Sequence, residues 1–196
     1  MPWPKDHKSQ TRERIVDAAA AAFRAEGVSG VGVDDIMAAA GLTRGGFYAH
    51  FASKDELLAH ALERASCQTL ETLSAALDSV PAERGLDAVV DAYLSPRHAA
   101  HAEGGCPVAA LGAELARADG RSRRVLARGV RRRIEWLREL GPRRRRGKLE
   151  EEQAVGALAA MVGGMILARA VGGRDSERIL EACRAFLHRA LRSPSS

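Results

Sequence analysis

Aromatic residues are scarce in this chain, with four Phe, two Tyr and two Trp among 196 residues, so an aromatic ligand pocket has little support. Its three cysteines, Cys67, Cys106 and Cys183, are an odd number at unrelated spacings, which argues against a disulfide framework and favours a reduced compartment. We expect no apolar run long enough to span a bilayer, and the N-terminus lacks a signal-peptide core. These absences predict a cytoplasmic protein without a membrane segment.

The residues that are abundant favour helices. The chain is rich in Ala, Leu, Arg and Glu, and it shows no alternating strand pattern. Its length is sufficient for a sizeable core, either as one domain or as two small ones. We therefore predict an all-α fold.

The most informative segment is residues 41–51, which is typical of a helix-turn-helix. Residues 34–40 are predicted to form a short helix, which Gly41 can end in the left-handed conformation because it has no Cβ. Thr43 can cap the next helix, and Phe47 and Phe51 are spaced so that both can anchor it to a core. A polar helix after such a turn is the element that enters the major groove of DNA.

Further helices are predicted on both sides of this segment. Ser53 and Glu56 form a capping-box pattern that starts a long helix continuing from Leu57 to Leu77. Upstream, apolar residues recur at helical spacing, and Gly27 ends that helix. The compact arrangement of helices in the N-terminal third is therefore predicted to be a DNA-binding head.

On these residues the chain resembles the TetR family of bacterial transcriptional repressors. The matching pattern runs from Gly27 through residues 33–57 and includes the stretches GLTRGGFYAHF and SKDEL. The resemblance implies a helix-turn-helix DNA-binding domain at residues 1–56 and a helical effector-binding and dimerisation domain at residues 57–196. The implied partners are double-stranded operator DNA, a second copy of the chain and a small-molecule effector; no cofactor and no enzymatic activity are expected.

The resemblance also assigns roles in the head. The expected DNA contacts are Thr43, Arg44, Gly45, Tyr48, His50 and Lys54. Arg44 is expected to read a base, because a guanidinium can bond guanine O6 and N7 together. Gly45 either leaves room for the backbone to approach the groove or merely lacks a preferred side chain. The remaining four residues are expected to bind phosphates, and one of them is also expected to contact a base. The four are Thr43, Tyr48, His50 and Lys54, and the base contact is expected from Tyr48. Many family members have a hydroxyl residue where Gly32 stands, so that phosphate contact is expected to be missing here.

Charge alone does not identify the DNA-binding face. Residues 1–60 carry seven Lys and Arg against eight acids, whereas residues 117–148 carry thirteen Arg and Lys148 against three acids. We interpret the arginine-rich stretch as solvated faces and loops. In the head, the placement of cations near helix starts is what favours phosphate binding.

The last two predicted helices, 150–171 and 175–191, are rich in small and apolar residues. They could form an ordinary buried hairpin, or they could pair with the same helices of a second chain in a four-helix bundle. The resemblance implies the second arrangement, since a two-fold dimer also explains the reading of palindromic DNA. We therefore expect a homodimer through these helices.

Cys106 is predicted to start a helix with Pro107 in its first turn, after a loop at 96–105 that holds His98 and His101. A thiol at a helix start can have a lowered pKa. The Gly105-Cys106-Pro107 segment resembles a TetR subgroup that includes repressors of electrophile-detoxifying enzymes, in which a cysteine here is the sensor. A buried structural cysteine and a metal site with the two histidines are the alternatives.

The sequence therefore predicts a homodimeric repressor that is released from a palindromic operator by a small molecule or an electrophile binding within residues 57–140. The first alternative is an enzyme with Cys106 as nucleophile and a loop histidine as base. The second is a non-specific architectural DNA-binding protein. Neither alternative accounts as well for the segment at residues 41–51.

Overall fold

The computed structural model describes residues 5–118, 120–141 and 148–191, and every regular element within them is helical. The predicted all-α fold is confirmed. The α-helices are α1 (Lys5–Glu26), α2 (Val33–Ala39), α3 (Lys54–Ala75), α4 (Gly85–Tyr93), α5 (Pro96–Ala100), α6 (Pro107–Leu115), α7 (Gly120–Glu139), α8 (Glu151–Val171) and α9 (Gly173–Ala190). Short 3₁₀ helices lie at Arg44–Ala49, Ala82–Arg84 and Ala102–Gly104.

The described residues group into two compact units. The first unit contains the chain up to Cys67 together with Ala102–Ala127, and the second contains Gln68–His101 together with the described residues from Arg128 onward. This division differs from the boundary expected after residue 56. The reason is that Leu111 and Leu115 of α6 belong to the same buried cluster as the head.

The core of the first unit explains why the head folds as it does. Its fully buried side chains come from each helix of the head and from α6, and they are Ile15, Ala19, Phe23, Ile36, Met37, Phe47, Phe51, Leu57, Leu62, Leu111 and Leu115. The apolar spacing read from the sequence in α1 and at the two phenylalanines therefore corresponds to the buried face.

In the second unit, α8 packs closely on α9. A Cβ added to Gly164 of α8 would lie 2.8 Å from the Cys183 Sγ atom of α9, so the close approach depends on glycine at this position. Two guanidinium groups hold backbone carbonyls across this unit: Arg169 donates to the carbonyl of His98 (2.7 Å), and Arg184 donates to that of Leu94.

Several local expectations were wrong. The stretch 96–105 is not a loop, because Ser95 caps α5 by accepting a hydrogen bond from the His98 N–H (3.2 Å) and Pro96 occupies its first turn. Arg133, expected on a solvated face, is 1% exposed. The expected loop at residues 143–146 lies outside the described residues.

The expectation about apolar runs was also wrong. Among the described residues, one helix, α8, is long and apolar enough to cross a membrane by length and composition alone. A core helix of a soluble protein passes the same test, but well under half of the apolar window in α8 is buried within the chain. The apolar surface of α8 therefore needs a separate explanation.

Candidate nucleic-acid interface

The turn between α2 and the next segment has the geometry predicted from Gly41. This residue has φ +68°, its N–H donates to the Ala38 carbonyl (2.9 Å), and the Leu42 N–H donates to the Met37 carbonyl (2.8 Å). These two bonds form a Schellman motif, which satisfies the last carbonyls of α2. Arg14 of α1 adds a bond to the Ala40 carbonyl (2.6 Å), so α1 holds the same helix end.

The segment after the turn is a 3₁₀ helix at Arg44–Ala49, where an α-helix was expected. Thr43 occupies the N-cap position, but its side chain makes no capping hydrogen bond. Two adjacent glycines weaken the α-helical preference of so short a segment, which accounts for the tighter helix. Phe47 and Phe51 are each 1% exposed, with ring centroids 5.9 Å apart, and they anchor the segment as predicted.

Arg44 lies on the exposed side of this segment and is engaged by an acid that the sequence did not single out. Its Nη1 atom lies 2.7 Å from Asp34 Oδ2, and both side chains are more than half exposed. An exposed ion pair of this kind contributes little to stability. Asp34 therefore orients the Arg44 guanidinium through a weak ion pair. A base edge can replace the carboxylate as the partner of this guanidinium.

Gly45 and Tyr48 are also exposed. A Cβ added to Gly45 would meet no atom within 4 Å, so nothing in the described part of the protein requires glycine there. Tyr48 is 70% exposed, and its ring packs edge-on against Phe47 with centroids 5.2 Å apart. A large ring held in place but left in solvent is suited to a contact with an external partner.

His50 is half-buried, and its Nδ1 atom has no hydrogen-bond partner among the residues that the structure describes. Burial lowers the pKa of His50 below its ordinary value of 6.5, and the positive charges of Lys8 and Arg12 act in the same direction. Arg12 lies 4.5 Å from the Phe51 ring centroid. Three basic side chains from α1 and the end of the 3₁₀ segment therefore share one region, although the head as a whole is nearly neutral.

Lys54 stands at the start of α3. The start is fixed as the capping pattern predicted: Ser53 Oγ accepts from the Glu56 N–H (3.1 Å), and the Glu56 carboxylate accepts from the Ala52 N–H (2.8 Å). Lys54 Nζ donates to the Val28 carbonyl (2.6 Å) and lies 5.8 Å from the Phe23 ring. An ammonium has three donors, so this bond leaves capacity for a phosphate.

Gly32 is the N-cap of α2, and the Asp35 carboxylate accepts a hydrogen bond from its N–H (2.9 Å). The start of α2 thus has no hydroxyl side chain to offer a phosphate, as expected from the glycine at a position where many family members have a hydroxyl residue. Sequence reasoning also missed Asp34, Arg14 and Glu114. Each of these acts on a residue at least ten positions away, and only the folded chain brings them together.

Cys106 is the N-cap of α6, with Pro107 in the first turn, so the predicted helix start is confirmed. Its side chain is fully buried, whereas Cys67 and Cys183 are half-buried. Arg24 of α1 donates to the Gly105 carbonyl (2.9 Å) and interacts electrostatically with Cys106. Burial lowers the pKa of Arg24 to about 10, which still leaves a cation beside the thiol at neutral pH.

The alternatives that used Cys106 gain no support. In the part of the chain that the structure describes, no three His, Cys, Asp or Glu side chains are grouped so that they could hold a metal ion. His98 Nδ1 lies 2.6 Å from the Tyr93 carbonyl, and the two rings pack edge-on. The full burial of the thiol also leaves no exposed face for a substrate.

The first unit contains one further concave feature between α1 and α3. It is a cavity of about 270 Å³ lined by Arg12, Glu13, Val16, His60, Glu63, Arg64 and Cys67. One lining residue, Arg64, donates two hydrogen bonds to the Asp17 carboxylate, at 2.5 and 2.8 Å. Because its lining carries both signs of charge, the cavity does not point to one class of ligand.

Comparison with known proteins agrees with this geometry. Residues 15–61 match the family described as "Bacterial regulatory proteins, tetR family". The chain is 42% identical over 92 residues to the HTH-type transcriptional regulator SrpR of Pseudomonas putida, covering 45% of this chain and 40% of SrpR. It is 41% identical over 92 residues to the uncharacterised HTH-type transcriptional regulator TtgW, also of Pseudomonas putida, covering 45% of this chain and 64% of TtgW. The chain thus spans less than two thirds of the length of these relatives.

A solved structure extends the similarity to the C-terminal helices. A TetR transcriptional regulator from Chloroflexus aurantiacus J-10-FL has a TM-score of 0.77 and 28% identity, covering 93% of this chain and 94% of that one. The sequence matches are confined to part of the chain, whereas the structural match includes both units. Residues 15–61 are therefore similar to the bacterial regulatory proteins of the tetR family, and the chain as a whole has the fold of the TetR transcriptional regulator from Chloroflexus aurantiacus.

Proposed function

We propose that this protein is a homodimeric transcriptional repressor that binds a palindromic operator through its head. The observation that carries the proposal is the 3₁₀ segment Arg44–Ala49, which is fixed from beneath by Phe47 and displays Arg44 and Tyr48 to solvent. In this proposal Arg44 reads a base, and Thr43, Tyr48, His50 and Lys54 bind phosphates. Gly45 lets the backbone approach the groove.

The proposed dimer uses α8 and α9. Large apolar side chains on these helices are exposed within one chain, namely Val155, Ile166, Leu167, Val171 and Phe186. Large apolar side chains exposed on two helices that pack together support an interface with a partner. A second copy of the chain is the partner that the TetR fold supports, since a two-fold pair presents two heads to two half-sites.

The experiment that tests the proposal is a mobility-shift titration with DNA flanking the gene, against shuffled DNA of the same length and composition. We expect binding at least about 1,000-fold tighter to the flanking DNA, the lower end of the range for specific binding proteins. Equal affinity for both DNAs would instead support the architectural alternative. A panel of small molecules that raise the melting temperature would then identify effector candidates.

We further propose that Cys106 senses electrophiles. Its position at the start of α6 and the Arg24 cation beside it support this role, whereas its full burial requires α6 to open before reaction. Treatment with a limiting thiol-reactive electrophile is expected to modify Cys106 and release DNA, and Cys106→Ser is expected to stay bound. The sensor role would be contradicted if another cysteine were modified first, or if protein modified at Cys106 still bound DNA. Cys106 would then have only a structural role.

A further inference from the structure

The turn between α1 and α2 is held from two sides by charged side chains of other helices. Glu114 of α6 accepts hydrogen bonds from the Val28 N–H (3.0 Å), the Ser29 N–H (3.0 Å) and the Ser29 hydroxyl (2.9 Å). On the opposite side of the same turn, Lys54 donates to the Val28 carbonyl (2.6 Å). The Val28 residue is thus clamped between an anion and a cation.

The clamp is built from local backbone geometry. Gly27 ends α1 with φ +82°, which turns the following N–H groups toward α6. Burial raises the pKa of Glu114, but the hydrogen bonds from Val28 and Ser29, together with the charge of Arg117, outweigh it and leave this pKa below its ordinary value of 4.5. The carboxylate is therefore ionised at neutral pH, and three donors satisfy it.

The two ends of α6 act on the head at different points. Before its first turn, the Gly105 carbonyl accepts from Arg24 of α1 (2.9 Å), and near its last turn Glu114 holds the turn after α1. Leu111 and Leu115 of α6 are buried in the same apolar cluster as the head. A displacement of α6 therefore cannot leave the Val28–Ser29 turn unchanged.

We propose that Glu114 is a positioning residue for DNA binding. Glu114 fixes the Val28–Ser29 turn, so that the Val28 carbonyl holds the Lys54 ammonium at the start of α3. Glu114, the turn and Lys54 then form one polar relay from α6 to a phosphate contact. The proposal rests on the proposed function, because Lys54 orientation matters only if the head binds DNA. It adds a residue of α6 to the determinants of DNA affinity.

A double-mutant cycle on DNA affinity tests the relay. Glu114→Ala is expected to weaken operator binding about 5-fold. It should also reduce the slope of log affinity against log salt by nearly as much as Lys54→Ala does, which removes one phosphate contact. In the Lys54→Ala background, the same change should cost less than about 2-fold, because coupled residues are not additive. Ser29→Ala is the matched control, since it removes one donor and leaves both backbone donors in place.

A purely structural role for Glu114 gives a different pattern. Glu114→Ala would then lower affinity equally in both backgrounds and leave the salt slope unchanged, which would overturn the relay. Hydrogen exchange of the Val28 and Ser29 amides in the DNA-free protein supplies a separate measurement. Exchange should accelerate in Glu114→Ala, and unchanged exchange would refute the clamp. Failure of the wild-type protein to bind any operator would refute the proposed function, a result distinguishable from both.

Discussion

At the scale of single residues, the head separates anchoring from recognition along one short segment. Phe47 and Phe51 are buried. Arg44, which precedes them, and Tyr48, which lies between them, are exposed to solvent. Burial of the two rings holds the backbone in place, so little backbone conformational freedom remains to be lost if DNA binds as proposed. This separation is why substitutions at exposed positions should change DNA affinity without changing stability.

Arg44→Ala tests base reading. Loss of a bidentate guanine contact should cost about 1–3 kcal/mol on the operator and relax the preference at one position in each half-site. Asp34→Asn is the matched control, because it removes the ion pair and retains the guanidinium. Binding measured on a library of single-base operator variants distinguishes the roles: a uniform loss for Arg44→Ala on all sequences would mean that Arg44 binds phosphate only.

His50 should make DNA affinity depend on pH. Its pKa is lowered in the free protein by burial and by Lys8 and Arg12, and a bound phosphate would raise it. Binding then takes up a proton, so affinity should increase as pH falls toward and below 6.5, and His50→Gln should abolish the increase. His60 also has a pKa lowered by burial but is assigned no DNA contact, so His60→Gln should retain the dependence. A flat wild-type profile would contradict the phosphate role.

At the scale of elements, the sequence predicted those features that local chemistry determines. The Gly41 turn, the Ser53 cap, the anchoring phenylalanines and the α6 start at Cys106 all depend on neighbours within a few positions. Features that depend on distant partners could not be predicted in this way. Glu114 lies 86 positions from Val28, and the burial of Arg133 reverses what an arginine-rich helix normally indicates.

The same distinction explains the errors in helix assignment. The 96–105 stretch contains residues compatible with a loop, and its helical state depends on one serine hydroxyl and one proline at the right positions. The second helix of the helix-turn-helix became 3₁₀ because side-chain spacing predicts which face is buried but not how tightly the backbone winds.

Disruption of the α8–α9 surface should separate the protomers. Ile166→Glu and Phe186→Glu place carboxylates on apolar side chains that are 45% and 56% exposed in one chain. Each charge buried without a partner costs several kcal/mol, so the dimer dissociation constant should rise by roughly 100-fold or more. Sedimentation velocity measures this change, with Ala113→Glu on the exposed side of α6 as control. A wild-type monomer, or dimers that survive both substitutions, would require another partner for this surface.

At the scale of the whole molecule, the proposed dimer joins two heads through one interface. In the proposed dimer, specificity comes from two half-sites that are read together. An effector then needs only modest coupling: a tenfold loss of DNA affinity corresponds to about 1.4 kcal/mol of differential binding between the two states.

The most direct measurement is the affinity and stoichiometry of the complex on three duplexes: the palindromic operator, the same duplex with one half-site scrambled, and the duplex with both scrambled. Fluorescence anisotropy gives the affinities and sedimentation gives the mass of each complex. We expect two protomers on the palindrome, a large loss of affinity when one half-site is scrambled, and residual salt-sensitive binding when both are scrambled. Equal affinity for all three duplexes, or one protomer on the palindrome, would contradict the proposed function.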